Sequence, residues 1–269
     1  FQLPPTVKDP EVARQGLANT LIERCLEILP EQVSLLTVQY RMHKAIMGFS
    51  NKYFYNGALV ADAKVAERSL DDIDEAPVTF IDTAGCGFDE RLQERPEALH
   101  RNLSRFNPEE ALLLREHLYQ LLQQLGYTDP ADINALSKLP GIGILSPYRE
   151  QVVQLEDLVR EDPLLAPLLR GPLDPESGAQ QAVLTINTID GFQGQECDVI
   201  YISLVRSNPK HEIGFLQDYR RMNVALTRAR KMLVVIGDSA TIGHNRFYQQ
   251  FLDYCAEHGA YRTAWEFVR

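Results

Sequence analysis

Short, continuously apolar runs alternate with stretches of helical periodicity along most of the chain. From about Pro10 to Leu29, Leu17, Leu21, Cys25 and Ile28 recur every three or four residues, which predicts a helix that Pro30 stops. Ser34–Val38 is a short apolar run, and a helix is expected from His43 to Tyr55, ending near Gly57. Val78–Asp82 reads as a strand. Cys86–Phe106 is polar and aperiodic and reads as a long surface loop. Asn107 as N-cap and Pro108 at the first position open a strong helix, Glu109–Gln124, with Gly126 past its end. Ile142–Ser146 reads as a buried strand, Pro147 as the start of a helix to about Arg160, and Pro163–Gly178 as a second long loop. Ala182–Ile186, Val199–Leu204 and Met232–Ile236 are further strands, and Tyr219–Lys231 and Asn245–Glu257 further helices. Strands that are apolar throughout and alternate with helices indicate an α/β domain, with a mainly parallel sheet and helices on both faces. Ligands of such sheets gather at the carboxyl ends of strands. Thr83, Ser146, Thr188, Arg206 and Asp238 all follow strands.

Charge narrows this picture. The formal net charge of the 269 residues is -10, which argues against a general affinity for polyanions, so any such site must be a local patch. Arg206–Lys231 is the candidate, with Arg206, Lys210, Arg220, Arg221, Arg228, Arg230 and Lys231 against Glu212 and Asp218. Four scattered cysteines (Cys25, Cys86, Cys197, Cys255) form no Cys-x-x-Cys pair, so neither a zinc site nor a disulfide framework is expected, and a reducing cytosolic setting fits. No metal site and no membrane span is expected. The chain starts at Phe1 in Gln-Leu-Pro-Pro, which reads as a piece of something longer.

Several segments carry candidate chemistry, each with a plainer alternative. In Tyr219–Lys231, helical spacing puts Arg221, Ala225 and Arg228 on one face, suited to phosphate or else simply solvated. Thr185–Arg206 places Thr188, Asp190, Gln193 and Glu196 around two glycines between two strands, as an anion-binding nest or as a hairpin-like connection. In Gln39–His43, Tyr40 and Arg41 could grip a base and its phosphates, or be a buried tyrosine and a helix-start arginine. Ser146–Gln151 suits an anion at a helix start, or plain capping. Ser104, Asn107 and Glu110 read as caps. His100, His117, His211, His244 and His258 have no ligand spacing. No Gly-Lys-Thr phosphate loop and no acidic pair after an apolar strand is present, so a complete NTPase is not expected in this chain.

Taken in order, these blocks resemble the C-terminal half of a superfamily 1 helicase, in the 5′→3′ branch that includes the nonsense-mediated-decay helicase and the immunoglobulin mu-binding helicase. Phe1–Pro5 looks like the tail of motif III. Leu36–His43 looks like motif IV, Gly143–Gln151 like the strand and helix before motif V, Thr188–Glu196 like motif V, and Arg220–Arg230 like motif VI. The resemblance implies a RecA-like P-loop NTPase fold. Residues 1–30 would be a remnant of the first RecA-like domain and residues 31–269 the second. It implies ATP with Mg, the Mg ligands lying in the missing first domain, and single-stranded DNA or RNA as partner. The fragment alone would be inactive. A cytoplasmic setting is implied, or a nuclear one in a eukaryote. By the same resemblance Gln2 would sense the γ-phosphate, and Tyr40 and Arg41 would meet the nucleotide. Glu196 would hold the ribose, and Arg228 would be the arginine finger. Arg221 and Gln193 would couple the nucleotide to domain closure, and Thr188, Ser146 and Arg206 would contact the strand. Gln195 stands where relatives often carry arginine. Two other readings are a non-catalytic RecA-like module that binds nucleic acid or protein, and an unrelated α/β enzyme of small molecules.

Overall fold

A computed structural model describes residue 11 and residues 20–71, 73, 75–93, 104–172 and 181–267. Helix α1 (Leu21–Ile28) is followed by β1 (Val38–Gln39), α2 (Lys44–Phe54), β2 (Val60–Ala61), α3 (Ala63–Ala66) and β3 (Val78–Asp82). Next come β4 (Arg91–Gln93), β5 (Ser104–Phe106), α4 (Pro108–Gln124), α5 (Ile133–Lys138), β6 (Ile142–Ser146) and α6 (Arg149–Glu161). The last third holds β7 (Leu184–Thr188), β8 (Cys197–Ser203), α7 (Tyr219–Leu226), β9 (Ala229–Gly237), α8 (Ser239–Ile242), α9 (Arg246–His258) and β10 (Ala260–Thr263).

Six strands form one parallel sheet in the order β10-β3-β9-β8-β6-β7. Its two central strands are apolar on both sides because both sides are covered. From β8, Ile200 and Ile202 enter one core with Phe49, Met222, Phe247 and Phe251, which α2, α7 and α9 contribute. Val199 and Tyr201 enter the other, with Leu114, Leu118 and Leu155 of α4 and α6. This is the two-residue alternation of a pleated strand serving two cores at once.

The expected α/β sheet is present, with four differences. The basic helix stops at Leu226, and residues from Ala229 join the sheet beside Cys197. At the break the Thr227 hydroxyl donates back to the Asn223 carbonyl at 2.8 Å, while ladder pairing claims the residues beyond. Arg221 and Arg228 therefore do not share a helix face. The helix expected from Pro147 begins at Arg149, where the Ser104 hydroxyl, not Ser146, accepts the Glu150 N–H at 3.1 Å. Cys86–Phe106, read as loop, contains the antiparallel pair β4–β5. The hairpin alternative for Thr185–Arg206 fails: β7 and β8 both pair with β6 in parallel, so residues 189–196 cross the sheet face, with Ile189 and Phe192 buried against it. Residues 10 and 12–19 of the first expected helix, residues 94–103 of the first long loop, His100 among them, and residues 173–178 of the second lie outside the described residues.

Candidate functional site

Glu196 and Arg228 sit just before β8 and β9, at the amino rim of the sheet. A bulge at the start of β8 sets them side by side, since the Cys197 N–H donates to the Arg228 carbonyl at 3.1 Å. A third segment is folded against them by Gln39. Its side-chain oxygen accepts the N–H groups of Arg41 at 2.8 Å and Met42 at 2.9 Å, and its amide donates to the Met42 carbonyl at 2.8 Å. The His43 N–H donates to the Arg230 carbonyl at 2.9 Å, which anchors this turn to β9. Three segments distant in sequence thus bring Arg41, Glu196, Arg228 and Arg230 to one place.

Glu196 is shared. Arg41 bonds one carboxylate oxygen, and the Arg230 fork bonds the other at 3.0 and 2.8 Å. Partial burial works to raise the Glu196 carboxyl, but Arg230 and Arg41 outweigh it and hold it below its ordinary range. Arg41 also donates to the Thr227 carbonyl at 3.2 Å. Arg228 differs from its neighbours. Its Nε donates to the Val224 carbonyl at 3.1 Å and its Nη1 to the Gln195 carbonyl at 3.2 Å. Among the described residues Nη2 has no partner and no carboxylate pairs with this guanidinium. Burial and the charge of Arg41 push Arg228 down from its ordinary value, with Glu196 opposing. Two neutral carbonyls therefore aim a half-buried, unneutralised cation at the rim.

The other expected residues divide. Tyr40 is 67% exposed beside Arg41, so its buried-tyrosine alternative does not hold. Arg221 pairs with Asp190 at 3.0 Å and Asp218 at 3.1 Å, linking α7 to the crossing segment, and Gln193 is exposed on that segment. The Thr188 hydroxyl accepts the Gly191 N–H at 3.1 Å; a Cβ on Gly191 would lie 2.2 Å from the Asn187 amide oxygen, which is why glycine turns the chain there. Two expected strand contacts are corrected. Arg206 is 3% exposed and paired with Glu90 at 2.6 Å, and Ser146 is fully buried, its hydroxyl accepting the Tyr148 N–H at 3.3 Å. Neither presents its side chain to a ligand. Gln2 lies outside the described residues.

The basic patch read along the chain is largely neutralised in space. Arg220 pairs with Glu23, Arg230 with Glu196 and Asp198, and Lys231 with Asp198, besides the pairs of Arg206 and Arg221. Of the seven cations, Arg228 and Lys210 have no carboxylate partner among the described residues. Sequence reading missed Arg230 as a partner of Glu196, though its place two residues beyond Arg228 is the spacing that returns a strand to one face. Among the described residues no group of three or more His, Cys, Asp or Glu could hold a metal ion, and no helix is long and apolar enough to cross a membrane.

A family model described as an AAA domain matches residues 17–240. The DNA-binding protein SMUBP-2 of Mesocricetus auratus is 37% identical over 276 residues, covering 99% of this chain and 24% of that protein. The DNA polymerase alpha-associated DNA helicase A of Saccharomyces cerevisiae is 35% identical over 280 residues, covering 97% and 36%. An uncharacterized ATP-dependent helicase of Methanocaldococcus jannaschii is 33% identical over 265 residues, covering 93% and 33%. The chain thus spans a quarter to about a third of the length of these relatives. With the six-stranded parallel sheet covered on both faces, these matches show a RecA-like α/β fold and a helicase-type domain. The chain belongs to the superfamily 1 helicases, in the group that includes SMUBP-2 and the polymerase alpha-associated helicase.

Proposed function

We propose that this chain is the second RecA-like half of an ATP-driven helicase or translocase, and that its amino rim forms one wall of the nucleotide site. The observation that supports this reading is Arg228, an unneutralised guanidinium held by two neutral carbonyls beside a saturated Arg41–Glu196–Arg230 cluster. Leaving such a charge half-buried and unpaired is costly unless an anion completes it. The donor set fits a nucleoside triphosphate. Guanidinium groups suit phosphate, and the exposed ring of Tyr40 suits a base.

ATP, when bound, supplies the phosphoryl group whose transfer spreads negative charge. Arg228 presents its free N–H edge to that charge. Arg41 reaches the phosphates and Glu196 the ribose, each giving up part of the ion pair they now share. Arg221 and Gln193 tie these groups to α7 and the crossing segment, and so to domain closure. Gln2 takes the γ-phosphate role expected from motif III, and the Mg ligands belong to the first domain. Residues up to about Pro30 belong with that domain: no residue of α1 is buried, and its Leu21 and Ile28 side chains face solvent. The track is single-stranded DNA or RNA, and this half alone does not turn over ATP.

The test is strand-stimulated ATP hydrolysis by the whole protein and its Arg228→Ala variant, with single-stranded DNA and with RNA. Loss of stimulated turnover with retained fold supports the reading. Normal turnover in the variant removes Arg228 from the chemistry.

A further inference from the structure

Phe215 breaks the burial pattern around it. Ile213 and Leu216 are buried, whereas Phe215 is 60% exposed. The 3₁₀ turn Gly214–Gln217 that carries it is pinned. The Tyr248 hydroxyl donates to the Leu216 carbonyl at 2.8 Å, and the Asp218 N–H donates to the Phe215 carbonyl at 3.2 Å. Gly214 has φ +52, and a Cβ there would lie 2.1 Å from Arg206 Nη1 and 2.9 Å from the Tyr148 hydroxyl. The turn is therefore pressed onto these two side chains, and a rigid backbone points Phe215 outward. The buried Tyr148 ring packs against it, centroids 5.5 Å apart and tilted by 47°. Arg206 in turn donates to the Tyr148 hydroxyl at 3.3 Å and is held by Glu90. At the end of β8, Val205 adopts φ +72, a strained conformation for a β-branched residue. The buried Glu110 carboxylate holds its N–H at 3.1 Å from both oxygens. The buried network at the carboxyl rim thus serves as the footing of an exposed aromatic ring.

The segments that meet at this ring carry two unspent cations, besides Glu212, whose exposed carboxylate lies 3.8 Å from Arg206. Arg149 follows Tyr148 in the chain, is exposed, and has no hydrogen-bond or ion-pair partner among the described residues. Lys210, on the segment leading to the turn, is also exposed and unpaired among them. An exposed, preorganised aromatic, packed on the tyrosine that directly precedes a free guanidinium, suits a base stacked on the ring with its backbone phosphate on that guanidinium.

We propose that Phe215 is a stacking post for a nucleobase of a single strand at the carboxyl rim, with Arg149 taking a neighbouring phosphate. The inference rests on the helicase reading but not on the amino-rim nucleotide site. A protein surface could also cover an aromatic ring; the two unpaired cations favour the polyanion.

The test is fluorescence anisotropy of the whole protein with oligodeoxythymidylate and oligouridylate, intact or carrying abasic positions, at fixed salt. Phe215→Ala is expected to weaken binding to at least one intact strand about five- to hundred-fold, while Phe215→Tyr stays within about twofold of wild type. Wild type should lose a similar factor on abasic strands, to which Phe215→Ala is indifferent. Arg149→Ala should weaken intact and abasic strands alike and lower the salt slope by about 0.7. Unchanged affinity in Phe215→Ala overturns the proposal and leaves the ring to a protein contact. So does an equal loss on intact and abasic strands, because the ring would then not read a base. If Arg228→Ala keeps full turnover while Phe215→Ala shows the base-dependent loss, the nucleotide assignment fails and the stacking post stands.

Discussion

The two rims of one sheet handle charge in opposite ways. At the amino rim, Arg41 and Arg230 share the Glu196 carboxylate, Arg228 beside them has no carboxylate partner among the described residues, and the cluster is partly open to solvent. At the carboxyl rim, Arg206 and Glu90 are 3% and 6% exposed in their side chains, and Glu90 also accepts the Ser207 N–H at 3.0 Å. Beside them Glu110 is bonded to Ser203 at 2.6 Å and to Val205. A buried charge that meets its counter-charge inside the chain, as Arg206 meets Glu90, acts as architecture. An exposed excess of positive charge stands ready for an anion. The same residue types therefore do different work, and only their partners tell them apart.

The sharpest break in this comparison is a pair of alanine substitutions. Arg228→Ala is expected to cut stimulated ATP turnover about 10³–10⁵-fold, the scale of arginine fingers elsewhere, while the melting temperature stays near wild type. Arg206→Ala should do the reverse. It removes one of the two cations on buried Glu90, leaving Arg105 at 2.6 Å, and empties the space its guanidinium fills, so it costs about 2–3 kcal/mol of stability in denaturant titration. Should both variants lose activity and stability together, the division of labour is wrong.

Glu110 gives a smaller, pH-dependent effect. Burial pushes its carboxyl up from 4.5 to about 7, against the hydrogen bonds from Ser203 and Val205. A pKa raised in the folded state stabilises below the unfolded value, and that contribution is lost as pH rises through about 7. Between about pH 4.5 and 7 the wild type should therefore lose about 3 kcal/mol relative to Glu110→Gln. Melting of both proteins at pH 5 and pH 8 checks this. His117, which burial pushes down to about 4, has the opposite slope but is common to both and drops out of the difference. The smallest stability effect belongs to Glu196→Gln. Its pairs with Arg41 and Arg230 are partly exposed, so unfolding free energy should change by less than about 1 kcal/mol, while the KM for ATP rises.

Much of the sheet was legible because β3, β6, β8 and β9 are apolar on both sides, a pattern that needs no partner to be read. β10 was not, since it is an edge strand with alternating exposure. The end of α7 was hidden because Thr227–Lys231 continues the helical spacing, and pairing with β8 overrides it. At the site, motif order pointed to Arg41, Glu196 and Arg228, and the fold brings them together. What the chain order concealed was neutralisation. Glu23, Glu90, Asp190 and Asp198 reach the basic segment from elsewhere, and Arg206, which follows a strand like a ligand residue, turns inward to one of them.

The most direct measurement is a crystal structure of the whole protein with ADP, Mg and aluminium fluoride. The account predicts that Arg228 leaves the Gln195 carbonyl and donates to the fluoride, with Tyr40, Arg41 and Glu196 on the same nucleotide. A nucleotide bound at the carboxyl rim, or an Arg228 still held by the Val224 and Gln195 carbonyls with the fluoride out of reach, would contradict it.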